Sequence, residues 1–380
     1  VSVSSAGVVV YAGTGTPSAV PATFIDAIDR VVVRQQHDRA STFQLVLQAA
    51  RPPGTATELP VISDGTVAPG TRVQIAIRLG STQTCVMDGV VAFQELKYGG
   101  EDSGVVYSVI GEDLSLYMRL TEKSTEWPGR SCAQIAREII ANYSSYGLSA
   151  SVVDPQQDVT PPTNGWVPQQ NATDLRYLRS LARAFGHIVV IRPAQQIGSP
   201  ATAYWGPPSR QTAPLPALTV DAGAVGNVSS IEFGYDAVAA QVFGGSSRAD
   251  DDTQTALTIA PTYSFSLTAL SKDSGTSPAL LRTRAFIEPS LAGTLASSYA
   301  ASLLEDSTRS MLRAKLVVDG LLYGTVVTPS TLIALAGAGD AHNGLYYVER
   351  VEHTLQRDQY TQEIEMTREG FGSTISQVTN

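Results

Sequence analysis

Two separated stretches of this chain alternate apolar and polar residues with a period of two, and a block of helical period lies between them. Side chains of a strand point to opposite faces at successive residues, so such alternation marks strands buried on one face only. In the first stretch Phe43, Leu45 and Leu47 alternate with Gln44 and Gln48, and Val73, Ile75, Ile77 and Leu79 with Arg72, Gln74 and Arg78. Turn residues at Arg51–Gly54, Pro69-Gly70, Asp88-Gly89 and Tyr98–Gly100 divide it into a small antiparallel barrel or sandwich. The pattern resumes at Leu312, Ala314, Leu316 and Val318, runs through Thr331 to Leu335, and closes over 345–368.

The intervening block switches to the helical period. Ser131 is placed to cap a helix carrying Cys132, Ile135, Ala136, Ile139, Ile140 and Tyr143 on one stripe, ended by Gly147. Thr173 opens a second helix with Leu175, Leu178, Leu181, Ala182 and Phe185 inward and Gly186 at its end. Arg176, Arg179 and Arg183 line the outer side of that helix, a solvated polar face or a grip for an acidic partner. Residues 1–22 are Ser, Gly, Val, Ala and Pro without a period and read as an arm.

The resulting expectation is a mainly β chain with α insertions. It divides into an arm (1–22), a first barrel-like domain (23–120), an α/β helical domain (121–206), and a second barrel-like domain (207–240 with 311–370). An insertion (241–310) contains the acidic run Ala249–Asp252 and a helix near Leu295–Arg309, and residues 371–380 form a tail.

Net charge decides against one class of partner: 35 acidic and 26 basic residues leave −9, the wrong sign for stable nucleic-acid binding. Cys85 and Cys132, the only two cysteines, sit in apolar-patterned segments and read as core thiols, not as a zinc set or disulfide. The longest apolar runs, Gly7–Ala12 and Gly186–Ile191, fall far short of the roughly 20 residues that span a bilayer, so no membrane binding is expected. No basic region precedes an apolar core at the N-terminus, and the missing initiator Met suggests trimming.

His37, His187, His342 and His353 are scattered, with no metal-site spacing, and no nucleophile elbow, Walker loop or zinc-protease helix occurs. No catalytic, cofactor or metal residue is therefore expected. Glu112 with Asp113, or Glu363 with Glu365, could in principle act as an acid/base pair, but the second pair shares the outer face of an alternating strand. Gly337–Asp340 reads as a hairpin turn, with a glycine-rich ion loop as the alternative. The triplets opening at Asn171 and Asn227 match glycosylation acceptors, and helix capping accounts for the first.

Four strings in order resemble the hub family of contractile tails, comprising the late-control D proteins of phages and the N-terminal hub region of VgrG proteins. They are Val73–Gly80 followed by Met87–Val90 with Asp88 and Gly89; Val109–Ser115 with Asp113, ahead of Trp127; Gln170–Ala182 with Thr173, Asp174 and Leu178, then Gly186, Trp205 and Gly206; and Gly344–Val348 with Tyr347, then His353, Tyr360 and Arg368. The resemblance covers about residues 24–370 and departs at the Pro-rich loop 154–168 and the insertion 241–310.

This resemblance implies a structural, non-enzymatic baseplate hub. It implies a homotrimer whose two barrel-like domains per chain give six units around a channel, joining a sixfold inner tube protein to a trimeric spike. The chain stops soon after its last strand, so the spike is expected as a separate protein, with baseplate wedge or adaptor proteins as further partners. The implied location is a phage virion tail or injection-particle baseplate, assembled in the bacterial cytoplasm. A tail-tip hub of a non-contractile phage, and a glycan-binding or glycan-hydrolysing β protein, are the other readings.

Overall fold

A computed structural model describes residues 5–49, 59–99, 104–156, 158–161, 167–220, 226–248, 256–259, 268–273, 278–357 and 359–375. The chain is mainly β with α insertions, as its patterning requires. The first region contains β1 (Ala6–Gly13), β2 (Ser18–Ala19), α1 (Ala22–Asp26), β3 (Ile28–Gln36), β4 (Thr42–Gln48), α2 (Pro60–Ser63), β5 (Arg72–Leu79), β6 (Thr82–Tyr98) and β7 (Val105–Asp113). These strands pair antiparallel in the order β3-β4-β7-β6-β5-β1-β2. Their inward faces close on Phe24, Phe43, Leu45, Ile75, Ile77 and Met87, all fully buried.

Two expectations are corrected here. Residues 6–13 are not part of an arm: β1 pairs with β5 through eight consecutive residues, from Ala6 opposite Leu79 to Gly13 opposite Arg72. Val10 and Ala12 enter the core. An almost wholly apolar strand such as Val8–Ala12 conceals its period, which explains the misreading. Nor is Asp88-Gly89 a turn. The turn after β5 is Gly80-Ser81, with Gly80 at φ +57°, and Asp88 and Gly89 lie inside the 17-residue β6. Gly89 is required because a Cβ there would overlap the carbonyl of Glu112 on β7.

The helical block follows: a 3₁₀ turn (Leu114–Arg119), β8 (Glu122–Glu126), α3 (Cys132–Ala141), β9 (Leu148–Val152), β10 (Gln169–Thr173), α4 (Asp174–Arg183), β11 (Ile188–Arg192) and β12 (Ala201–Gly206). Ser131 caps α3 in a reciprocal box with Gln134, and Thr173 caps α4. Gly147 and Gly186 take the left-handed conformation just after their helical segments. The buried stripes of α3 and α4 pack on the β11-β12-β9 sheet around Trp205. Arg176 and Arg183 are exposed, while Arg179 is half-buried.

The remaining strands are β13 (Leu215–Thr219), β14 (Val228–Tyr235), β15 (Gln241–Arg248), β16 (Ala256–Ile259), β17 (Ser271–Asp273), β18 (Arg282–Ala292), β19 (Leu312–Asp319), β20 (Leu332–Ala336), β21 (Gly344–Gln356), β22 (Gln359–Arg368) and β23 (Phe371–Ser373). Helices α5 (Gly293–Arg309) and α6 (Gly320–Tyr323) lie among them. The second β region runs β14-β19-β22-β21-β20-β13, and Asn227 N–H donates to Thr219 O between its two ends. It is not antiparallel throughout, because β13 pairs parallel to β20. Within the insertion, β15 pairs with β16 and β18, and α5 packs beside β15. The acidic run 249–252 lies outside the described residues.

The two β regions are parts of one sheet. β21 pairs with β3 antiparallel through seven residue pairs, from Arg350 opposite Gln36 to Gln356 opposite Arg30, so a single thirteen-stranded sheet crosses from one region into the other.

Candidate functional site

The seam between the regions has a built polar centre. On β3 the inward positions Val31 and Val33 are followed by Gln35, a polar residue at an inward place and 4% exposed. Its Oε1 lies 3.2 Å from Nε2 of His353 on β21, whose Nδ1 lies 2.9 Å from the Tyr360 hydroxyl on β22. The neutral His353 tautomer with a proton on Nε2 satisfies both bonds: Nε2–H donates to Gln35 and Nδ1 accepts from Tyr360. Burial drives the His353 pKa down to about 3. Beside it Gln362 accepts from Val327 N–H at 2.8 Å and donates to Thr325 O at 2.9 Å. Three strands and the loop before β20 are thereby locked in one register.

Other buried charges anchor the segments that leave the sheet. In the first region Asp88 takes two bonds from Arg72 (2.8 and 2.7 Å) and one from Gln74 (2.8 Å). Gln74 also accepts from Gly198 N–H at 2.8 Å, tying β5 to the loop between β11 and β12. Asp113, at the end of β7, accepts from Ser41 N–H and from Ser115 N–H, which caps the 3₁₀ turn into the helical block. Its complete burial raises its pKa to about 6.

Asp174, at the first turn of α4, accepts from Lys123, Tyr143 and Gln170. Trp205 Nε1–H donates to Leu178 O at 3.1 Å, and Gly206 leaves room for the Tyr204 ring. Trp127 packs half-buried on the same cluster.

At the far end of the second region Arg368 donates to Asn343 O (3.0 Å) and Ala341 O (2.7 Å), with its guanidinium 4.3 Å over the Tyr346 ring. These bonds hold the turn between β20 and β21, where Gly337 and Gly339 have positive φ, so Gly337–Asp340 is a turn. Tyr347 is fully buried, edge-on to His37 with ring centroids 5.7 Å apart. Arg210 and Glu369 form a buried ion pair at 2.9 Å, and the other Glu369 oxygen accepts from the Leu270 and Ser271 amides.

The motif residues thus fall into separate groups. Asp88, Gly89 and Asp113 mark the border of the first region with the helical block. Thr173, Asp174, Leu178, Gly186, Trp205, Gly206 and Trp127 organise that block. His353 and Tyr360 sit at the seam, and Tyr347 and Arg368 at the outer end of the second region. Sequence reasoning missed Gln35, Gln74, Arg210 and Glu369. An inward Gln after Val31 and Val33 was the available signal for the first; Arg210 and Glu369 lie in segments without a period.

The carboxylate pairs singled out by sequence have other occupations. Glu112 pairs with Arg119 at 2.6 Å while Asp113 is closed in by amides, and Glu365 pairs with Arg350 at 3.0 Å on an outer face. Among the described residues no cluster of His, Cys, Asp and Glu could hold a metal ion, and no helix is long and apolar enough to cross a membrane. Cys85 and Cys132 are free and buried, and burial pushes both thiols up to about 12. Asn227 accepts from the Thr219 amide, and Asn171 accepts from the Ser124 hydroxyl.

Where the first region, β11 and the loop 328–331 meet, they enclose a cleft of about 500 Å³ lined almost wholly by uncharged side chains.

Comparison with known proteins gives a family model described as the Alg8 N-terminal domain, matching residues 16–203, just under half of the chain. No curated protein matches. Solved structures similar in fold include a tail protein from Neisseria meningitidis MC58 (TM-score 0.65, 11% identity, covering 96% of this chain and 98% of that one). The 43 kDa tail protein of prophage MuSo2 from Shewanella oneidensis has a TM-score of 0.62 at 13% identity, covering 95% and 98%. The E. coli c3393 protein, a component of the type VI secretion system, has a TM-score of 0.52 at 11% identity, covering 90% and 73%. The fold is therefore one found in tail proteins and in a secretion-system component.

Proposed function

We propose that this chain is a structural baseplate hub of a contractile phage tail or injection particle. The observation that carries the reading is the seam: two β regions lie side by side in one sheet through β3 and β21, so one chain supplies two β units in a fixed relation. Three such chains in a ring present six units, enough to seat a sixfold tube on one side and a threefold spike on the other. The likeness in fold to tail proteins over nearly their whole length supports the same reading. In this reading the helical block and the insertion face outward to wedge or adaptor proteins, and no chemistry is performed.

Light scattering of the purified chain, with averaged electron-microscope views along the ring axis, tests the proposal. The expected result is three times the chain mass of 40.2 kDa and a channel with a pseudo-sixfold outline. A monomer that stays monomeric when mixed with a tube protein and a spike protein from the same particle overturns it.

A further inference from the structure

The strands that run through the seam end in two open edges. β14-β19-β22-β21 of the second region and β3-β4-β7-β6 of the first form one run of eight strands, each antiparallel to its neighbours. The seam joins the two middle strands, so the outermost are β14 and the distal half of β6. β5 leaves β6 where Arg72 stands opposite Val90, and a bulge follows between Val91 and Phe93. Among the described residues no strand pairs with the outer side of 93–98, and β14 pairs only with β19. Such edges are templates for a further strand.

Both edges are open to solvent. Phe93, Leu96 and Tyr98 are 56%, 39% and 61% exposed. On β14 Ser229, Ser230, Glu232 and Gly234 are exposed, with Ile231 and Phe233 half-buried. Apolar side chains gathered at an exposed strand end mark a contact surface.

Backbone geometry limits how the two edges can meet. Gly99 N–H donates to Gly104 O just beyond β6, and bonding direction alternates along a strand, so Glu95 and Lys97 face β7 while Leu96 and Tyr98 turn their backbone groups outward. Asp236 N–H donates to Met311 O just beyond β14, so Ile231 and Phe233 turn theirs outward by the same count. Outward residues must oppose outward residues, which allows only registers two residues apart. With Leu96 opposite Phe233 and Tyr98 opposite Ile231, two apolar pairs form on the core face and Lys97 stands opposite Glu232 on the other. A slip of two residues one way sets Glu95 against Glu232, and the other way Glu95 against Asp236. Opposite charges across strands stabilise and like charges destabilise, so one register is selected.

β14 and β6 lie at opposite ends of the run, so their pairing joins two copies of the chain. We infer, resting on the hub reading above, that β14 of one copy pairs antiparallel with residues 93–98 of the next, setting Leu96 opposite Phe233, Lys97 opposite Glu232 and Tyr98 opposite Ile231. The contact is head-to-tail, the kind that closes a ring. An even number of strands per chain keeps the alternation antiparallel at every joint, and the device is the one that already joins β3 to β21 within the chain.

The test uses the full chain carrying Lys97→Cys and Glu232→Cys. These positions form a non-hydrogen-bonded pair with Cα atoms about 4.5 Å apart, within disulfide reach. Cys85 and Cys132 are buried and do not compete. Mild oxidation is expected to give a covalent species of three chain masses on a non-reducing gel, which Glu95→Cys with Glu232→Cys, the slipped register, does not give. Lys97→Glu is expected to raise the chain concentration needed for half assembly about five-fold, and adding Glu232→Lys to restore it. Trimers that form without the disulfide, that cross-link through the slipped pair, or that the double reversal fails to restore overturn the inference and leave the hub reading standing. So do dimers cross-linked by Glu232→Cys alone, which would join β14 to a second β14. A chain that stays monomeric beside tube and spike proteins and forms no disulfide overturns both.

Discussion

The two β regions solve the same packing problem but spend buried charge in different places. In the first, the core is aliphatic and aromatic without hydroxyls apart from Tyr107 and Tyr360 at its margins, and the buried carboxylates Asp88 and Asp113 face the helical block. In the second, buried Tyr346, Arg368 and the Arg210–Glu369 pair lie at the end from which the insertion and the C-terminal segment depart. Apolar alternation builds each sheet, while isolated buried charge marks where something other than sheet is fastened to it. Burying a charge costs several kcal/mol unless its partners are in place, so each anchor is also a point of high sensitivity.

Glu369→Ala should have the largest effect, about 3–5 kcal/mol in urea unfolding, because Arg210 loses its buried carboxylate and two amides lose their acceptor. Joint replacement by Arg210→Met and Glu369→Leu should restore most of that loss, since the apolar pair removes the uncompensated charge. Hydrogen exchange should show the Glu369→Ala damage confined to the second region. Equal loss of protection in β4 and β7 would show that the regions do not fail separately. Gly89→Ala comes next at about 1–3 kcal/mol and should expose the first region, because its Cβ would collide with the Glu112 backbone.

The buried Asp113 and His353 make stability depend on pH. Asp113 has a folded pKa raised to about 6, above the roughly 3.9 of an unfolded Asp, so the folded state holds a proton that the unfolded state releases between those values. Its contribution to stability therefore increases as pH falls from 6 to 4, and Asp113→Asn should abolish that gain.

His353 behaves oppositely. Its folded pKa of about 3 lies below the unfolded 6.5, so the stability it contributes is complete above pH 6.5 and is lost as pH falls toward 3. His353→Gln should flatten that decline while costing about 1 kcal/mol at neutral pH. Chemical unfolding of each variant and the parent at pH 7, 5 and 4 separates the two slopes. Ser131→Ala should be smallest, about 1 kcal/mol, from loss of the α3 cap, with neither β region affected.

Much of this architecture was legible in the residues. Alternation located β4, β5, β19 and β22 because their outer faces are polar, and capping chemistry located α3 and α4 at Ser131 and Thr173. β1 was not legible, since Val8, Val9 and Val10 leave no period to read. Asp88-Gly89 misled because Asp-Gly is a common turn pair, whereas here the Asp is a buried anchor and the Gly admits a neighbouring backbone. The anchors themselves are pairings across long separations, such as Arg210 with Glu369 and Gln35 with His353, which no local pattern encodes. The cleft was hidden for the same reason: its walls come from five distant segments, each without a pattern of its own.

The pairing of β21 with β3 has a mechanical consequence. Two bodies joined by a tether swing freely, but two bodies sharing hydrogen-bonded strands can shear apart along the strand direction only if all seven residue pairs give way together. A pull across the strands would instead open them one after another from an end. The joint is therefore stiff along one axis and yielding along another, and a force applied to one region parallel to β3 is delivered to the other without slack.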